Sequence, residues 1–79
     1  MKNRLQALLG PRVWVLEGRE GTLHIPMTEQ GRWLELRPVE MVLVGSRGPG
    51  WEGRDWPKGE TCLGSEWEVL TWTSARVGL

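Results

Sequence analysis

The chain lacks phenylalanine and tyrosine, has a single cysteine and a single histidine, and carries no net charge. One cysteine, Cys62, excludes both an internal disulfide and a cysteine cluster for zinc. A lone free thiol is typical of a reducing compartment, so we expect a cytoplasmic protein. The chain also lacks an apolar run near the roughly 20 residues that a membrane helix needs, and we expect no signal peptide. We therefore expect no membrane partner.

A basic surplus is missing as well, because ten Lys and Arg residues balance ten Asp and Glu residues. General nucleic-acid binders usually carry excess positive charge, so this balance argues against one. The length of 79 residues indicates one domain, residues 1–79, with a small core.

Tryptophan supplies all of the aromatic side chains, with six copies. Four lie in segments that predict β-strands, namely Trp14, Trp33, Trp67 and Trp72. Trp51 and Trp56 instead lie in residues 45–60, a stretch rich in glycine and proline. Each indole carries on the order of 150–250 Å² of mostly apolar surface, so a loop tryptophan marks a loop anchor or a contact surface.

Short segments of alternating or β-branched residues indicate an all-β fold. Strands are predicted over residues 12–17, 22–26, 32–37, 40–44 and 66–73, with 61–64 as a short strand or turn. Alternation places Leu23, Ile25, Leu34 and Leu36 inside and Trp33 on a half-exposed face. The near-continuous apolar run at 40–44 predicts the most buried strand.

The segments between and around these strands complete the prediction. The i, i+3, i+4 spacing of Leu5, Leu8 and Leu9 predicts a short helix over residues 2–9. Residues 45–60 predict one long Gly/Pro/Trp loop, and residues 74–79 a frayed tail. Together these elements favour a small five-stranded antiparallel SH3-like barrel, with an OB-like barrel as the second choice.

One hairpin carries a loose resemblance. The segment Trp14-Val15-Leu16-Glu17-Gly18-Arg19-Glu20-Gly21-Thr22-Leu23 is similar to the glycine-turned hairpins of SH3-like barrels such as KOW-type modules. It covers ten residues, and no functional residue is carried over from it.

Catalytic chemistry finds little support in the sequence. His24 is predicted on the polar face of a strand, and Cys62 reads as a small buried hydrophobe, although a dyad of the two stays open. Glu66 and Glu68 are predicted on one strand face, where a solvated acidic surface is the simpler interpretation. We expect no catalytic residue, no metal ligand and no cofactor.

The candidate binding site is the long loop, where cations and indoles alternate. Its residues are Arg47, Trp51, Arg54, Trp56 and Lys58. Tryptophan and arginine are enriched at protein–protein hot spots, and the same pair can stack bases and neutralise phosphate. Neighbouring carboxylates cancel the local charge, which favours a protein partner. A second surface is predicted around His24, Trp33 and Arg37.

The sequence thus predicts a small non-enzymatic binding protein that docks on a partner protein through its Trp/Arg loop. Stand-alone domains of this size are typical of accessory proteins, including phage- and plasmid-borne inhibitors of host machinery. Two alternatives stay open: a nucleic-acid-binding module that uses the same loop, and a small oligomeric enzyme with an inter-subunit site around His24. A homo-oligomer is compatible with each, because strand edges in so small a domain invite pairing.

Overall fold

The computed structural model describes residues 1–78, and the side chains of all of these except Leu43. Five strands form one antiparallel sheet with the sequential order β1-β2-β3-β4-β5. The elements are α1 (Lys2–Leu9), β1 (Leu16–Glu17), a 3-10 turn (Arg19–Gly21), β2 (Leu23–Pro26), β3 (Trp33–Leu43), β4 (Ser46–Trp56), β5 (Thr61–Gly64) and α2 (Glu66–Val77). The sheet is therefore a simple meander in which each strand pairs with its neighbours in sequence.

The sheet is open, with β1 and β5 at its two edges, so the predicted closed barrel is not confirmed. An antiparallel five-stranded sheet and the helix over residues 2–9 are confirmed. The first strand is shorter than predicted, since only Leu16 and Glu17 of residues 12–17 join the ladder, opposite His24 and Leu23. SH3-like or OB-like topology does not follow from this arrangement.

The predicted long loop at residues 45–60 is wrong, because most of it is the strand β4. Two of the glycines in β4, Gly50 and Gly53, make room for neighbouring side chains. A Cβ atom on Gly53 would lie 2.6 Å from the ring of Trp72, and one on Gly50 would lie 2.2 Å from the sulfur of Met41. Glycine inside a strand often marks such a close approach.

The predicted last strand at residues 66–73 is also wrong, because these residues begin helix α2. Ser65 caps the helix: its hydroxyl accepts the amide of Glu68, and the Glu68 carboxylate accepts the amide of Ser65. This reciprocal capping box satisfies two amides that the first turn leaves unpaired. The predicted frayed tail at 74–79 is helical up to Val77, and Leu79 lies outside the described residues.

Strand β3 runs through Pro38 without a break, and with β4 it forms a long hairpin closed by Val44 and Gly45. β2 pairs with β3 only as far as Leu36, and β5 pairs with β4 only from Trp51 onward. Residues 39–50, here called the arm, thus project past the rest of the sheet. An 11-residue strand spans roughly 37 Å, which accounts for the 42 Å long axis of the molecule.

The arm overturns the prediction that residues 40–44 form the most buried strand. Val42 is 73% exposed, and Val44 is fully exposed. The apolar run lies at the end of a two-stranded ribbon. No helix or further strand of the described residues covers it there, so it cannot become part of the core.

The core lies between one face of the sheet and the two helices. Alternation places Leu23 and Ile25 of β2 and Leu34 and Leu36 of β3 on this inner face, as predicted. The helices cover it with apolar side chains: Leu5 and Leu9 from α1, and Val69 and Leu70 from α2. Trp72 and Trp51 pack around this cluster.

A Gly53→Ala substitution tests the close contact between β4 and α2. The new methyl group would collide with the Trp72 ring, so we expect the free energy of unfolding to fall by roughly 1–3 kcal/mol. Gly48→Ala is the matched control, because the described residues leave 4 Å of free space around its Cβ position. Chemical denaturation of both variants measures the difference. Equal stability of the two would contradict the packing described here.

Candidate binding face

The sheet has two unlike faces because both helices pack on the inner one. Residues of opposite parity point to the other side, here called the open face. In register across β2, β3 and β4, this face presents His24 beside Glu35 and Arg54. The next row along presents Trp33 beside Trp56. Among the described residues, neither helix lies over these side chains.

Three rings form a row across the open face. The rings of His24 and Trp33 lie 5.9 Å apart at an interplanar angle of 11°. Those of Trp33 and Trp56 lie 6.0 Å apart at 19°. The guanidinium of Arg54 sits over the Trp56 ring, 5.4 Å from its centre. We call these four residues the aromatic row. Its offset near-parallel geometry is the one that aromatic pairs prefer.

Charges of both signs surround the aromatic row. Nε of Arg37 donates to a carboxylate oxygen of Glu52 at 2.8 Å, and a guanidinium nitrogen of Arg54 lies 3.5 Å from the same oxygen. One carboxylate therefore faces two guanidinium groups, and Glu35 lies beside Arg54 in register. The charge on this face is therefore close to balanced.

Beneath the open face, a buried carboxylate holds β4 in place. The side chain of Asp55 is completely buried on the inner face. Arg32 donates to it through two nitrogens, at 3.2 and 2.9 Å, and Arg76 donates to it at 2.7 Å. Arg76 also donates to Glu60 at 2.7 Å and lies over the Trp72 ring. We call Asp55, Arg32 and Arg76 the carboxylate clamp.

The clamp stabilises the ionised form of its carboxylate. Hydrogen bonds from Arg32 hold the pKa of Asp55 below its ordinary value, which outweighs the opposing effect of burial. The same bond raises the pKa of Arg32. Hydrogen bonds to Glu60 and, to a lesser extent, to Asp55 likewise raise the pKa of Arg76. The charge is thus both paired and hydrogen-bonded, as a buried ion requires.

The clamp also fixes the orientation of the aromatic row. Successive side chains of a strand point to opposite faces. Because Asp55 is held inward, its neighbours Arg54 and Trp56 must point outward, onto the open face. The clamp joins the residue before β3, the end of β4 and the last turn of α2.

The predicted loop site divides among four places. Arg54 and Trp56 lie in the aromatic row, whereas Trp51 packs on the inner side of the sheet against the core. Arg47 lies on the exposed arm, near Glu40, and Lys58 is exposed in the turn after β4. These five residues therefore do not form one contiguous surface.

The predicted second surface is brought together with part of the first. His24 and Trp33 are members of the aromatic row, and Arg37 lies beside them on the same face. The sequence analysis missed Asp55 and its two arginines. Strand alternation gave one indication of the clamp: it puts Arg32 on the same inward face as Leu34 and Leu36, where an unpaired charge is costly.

The fold does not bring together the side chains that the sequence offered for catalysis. Cys62 pairs with Gly53 on the inner side, whereas His24 belongs to the open face, so the two cannot form a dyad. Burial raises the pKa of the Cys62 thiol, which disfavours the reactive thiolate. Glu66 is bound to the chain's terminal amine and to Arg4. Within residues 1–78, no group of three metal-ligating side chains is brought together.

Neither α1 nor α2, the helices of the described chain, has the length and apolar character to cross a membrane. No protein-family model matches the chain, and no curated protein or solved structure is significantly similar to it. The candidate site therefore rests on its own geometry.

Replacing Asp55 with Asn tests the clamp. Loss of the buried charge removes the anion that Arg32 and Arg76 share and leaves them only Glu29 and Glu60, which are exposed. We therefore expect the free energy of unfolding to fall by roughly 2–4 kcal/mol. Glu52→Gln is the matched control, because it removes a carboxylate from the open face of the same strand and should change stability by about 1 kcal/mol or less.

The pH dependence separates the charge from simple packing. A carboxyl group whose pKa is lower in the folded state stabilises the fold above its unfolded pKa of about 3.9, and this stabilisation is lost as the pH falls through the folded value. We expect the wild type to lose stability more steeply than Asp55→Asn on acidification. Glu60 and Glu66, whose pKa values are also lowered, should leave a residual slope in the variant. Parallel profiles would contradict the clamp.

Proposed function

We propose that this protein is a non-enzymatic binding protein that holds a partner protein on the open face of its sheet. The aromatic row carries the proposal. Its three near-parallel rings come from three adjacent strands, β2, β3 and β4, and the guanidinium of Arg54 lies over the last ring. No described helix covers this face.

The physical chemistry of the row suits a protein contact. Tryptophan and arginine are the residues most often found at the energetic centres of interfaces. The rings support one another and sit on adjacent strands, so little side-chain entropy remains to be lost on binding. His24, Trp33, Arg54 and Trp56 are each half-buried, which leaves part of every ring or guanidinium group open to a partner.

The charges around the row favour a protein over a nucleic acid. A phosphate backbone is bound by unpaired Lys and Arg, with release of counterions. Here Arg37 and Arg54 both contact Glu52. A partner that presents apolar groups with both signs of charge at the rim fits this surface better than a polyanion does.

One unsatisfied donor lies within the row. Nε1 of Trp56 is buried and has no hydrogen-bond acceptor among the described residues. An unpaired buried N–H group costs on the order of 1–3 kcal/mol, and such groups are uncommon in native proteins. An acceptor on a bound partner could satisfy this donor.

The proposed mechanism is occlusion or tethering: the sheet face covers a surface of the partner and catalyses nothing. We expect the double variant His24→Ala/Arg54→Ala to lose the partner, because it removes both ends of the row while retaining both tryptophans. A hot-spot loss of 2 kcal/mol or more corresponds to a rise of roughly 30-fold in Kd.

The measurement is capture from a native lysate, followed by titration of the captured protein. Trp67→Ala is the control, because Trp67 is 71% exposed on α2, away from the open face. The proposal is supported if one discrete protein is captured and nuclease treatment does not release it. Trp67→Ala must retain this protein, and the double variant must lose it while its own melting temperature is unchanged. Loss on nuclease treatment, or steep salt dependence, would replace the protein partner with a nucleic acid. Equal capture by both variants would exclude the open face.

A further inference from the structure

The arm has the features of an unfinished sheet. Beyond Leu36 of β3 and before Trp51 of β4, no strand of the described chain flanks the ribbon. An isolated two-stranded ribbon is marginally stable in water. The arm also ends in exposed apolar side chains, Val42 and Val44. Exposed apolar edge strands are templates for pairing with another chain.

The direction of the backbone groups shows which residues of β3 are free to pair. The amide of Asp55 donates to the carbonyl of Glu60 beside β5, so Asp55 and its partner Leu34 both turn their backbone groups away from the β3–β4 ladder. The β3–β4 register continues without a bulge up to the turn. By alternation, Glu40 and Val42 turn their N–H and C=O groups to the same outer side as Leu34.

The other edge of the arm is protected. On β4 the outward residues are Arg47 and Pro49, which pair with Val42 and Glu40. Pro49 has no N–H group, and proline on an edge strand blocks the addition of a further strand. The free edge of the arm is therefore the β3 edge, and it begins just after Pro38.

We propose that two copies of this protein pair through the β3 edges of their arms. The strands run antiparallel around a twofold axis at Met41, so that Glu40 of each copy lies opposite Val42 of the other. Each of these two pairs exchanges both backbone hydrogen bonds, and the two ribbons become a four-stranded sheet. Because both copies use the same edge, the interface closes as a dimer and does not propagate.

Charge and shape agree with this register. Across the joined sheet, Val42 of one copy lies between its own Arg47 and Glu40 of the second copy, on one face. Two strand spacings separate these charges by about 10 Å at the backbone, a gap that the two long side chains can bridge over the valine. The exposed Val42 is thereby covered, and opposite charges flank it.

The base of the arm provides room for the tip of the second copy. In the proposed register, Val44 of the second copy lies opposite Pro38. An open cleft of about 540 Å³ lies there, between the 3-10 turn and β3, with Arg19, Glu20, Pro38 and Val39 in its lining. The 3-10 turn closes the edge itself at Pro38, because a Cβ atom on Gly21 would lie 3.5 Å from the Pro38 ring. The second tip must therefore leave the β3 edge at this point and enter the cleft.

A matched pair of proline variants tests the edge. Val42→Pro removes an outward N–H from β3, and Arg47→Pro removes one from β4 at the directly opposite position. Neither amide belongs to the ladder of the arm itself. We expect sedimentation over a wide concentration range to show a dimer for the wild type and for Arg47→Pro, in which the lost Arg47 charge should raise the dimer Kd by less than the lost backbone hydrogen bonds do in Val42→Pro. Val42→Pro should raise the dimer Kd by about tenfold or more.

A cross-link tests the register. In a Cys62→Ser background, Met41→Cys places one thiol from each copy on the twofold axis, in a pair without backbone hydrogen bonds. The Cα atoms of such a pair are about 4.5 Å apart, within disulfide range. Gly48→Cys, opposite Met41 on β4, lies too far from the axis and is the control. We expect mild oxidation to link the two copies of Met41→Cys covalently and to leave those of Gly48→Cys unlinked on a denaturing gel.

The two experiments together decide the proposal. A wild type that is monomeric at every concentration, or a dimer that both proline variants retain, overturns it. A dimer that cross-links through Gly48→Cys but not Met41→Cys also overturns it. The open face lies on a different part of the molecule, so a failure here leaves the proposed function unaffected.

Discussion

The buried carboxylate of Asp55 is the constraint on which the packing of α2 against the sheet and the arrangement of the open face depend. Arg32 and Arg76 bind it from the start of β3 and from the last turn of α2. These positions are far apart in sequence, so the carboxylate joins the sheet to its covering helix. Removing one partner of such a cluster leaves an unpaired buried charge, which makes the arrangement all-or-none.

The same constraint links the core to the surface. A strand cannot turn one side chain inward without turning its neighbours outward, so the clamp at Asp55 places Arg54 and Trp56 beside Trp33 and His24. The arm is independent of the clamp, because it begins beyond the last flanking strand. The molecule therefore has two separate parts. One is a stacked aromatic face supported by the clamp, and the other is a projecting ribbon with a free edge.

Alternation of apolar and polar residues was enough to predict β2 and the first half of β3, including which side of each faces the core. It failed for β4, because glycines contribute no apolar or polar side chain to an alternating pattern. Gly53 is a glycine because the ring of Trp72, distant in sequence, packs against it. It failed for α2 because tryptophan, valine and threonine favour strands, although the pattern Ser65…Glu68 signals a helix start. The apolar run at 40–44 misled since its burial depends on neighbours that the arm lacks.

The candidate site was predicted in part for a related reason. Tryptophan and arginine marked Arg54 and Trp56 by residue type alone, but only the register of three strands brings His24 and Trp33 to them. The clamp could not be predicted, because its three residues meet through tertiary structure.

The most direct test of this account is a nuclear Overhauser spectrum of the side-chain rings in the wild type and in Asp55→Asn. We expect contacts from His24 to Trp33 and from Trp33 to Trp56 in the wild type, and their loss or weakening in a variant that is still folded. Absence of these contacts in the wild type, or an unchanged row without the clamp, would contradict it.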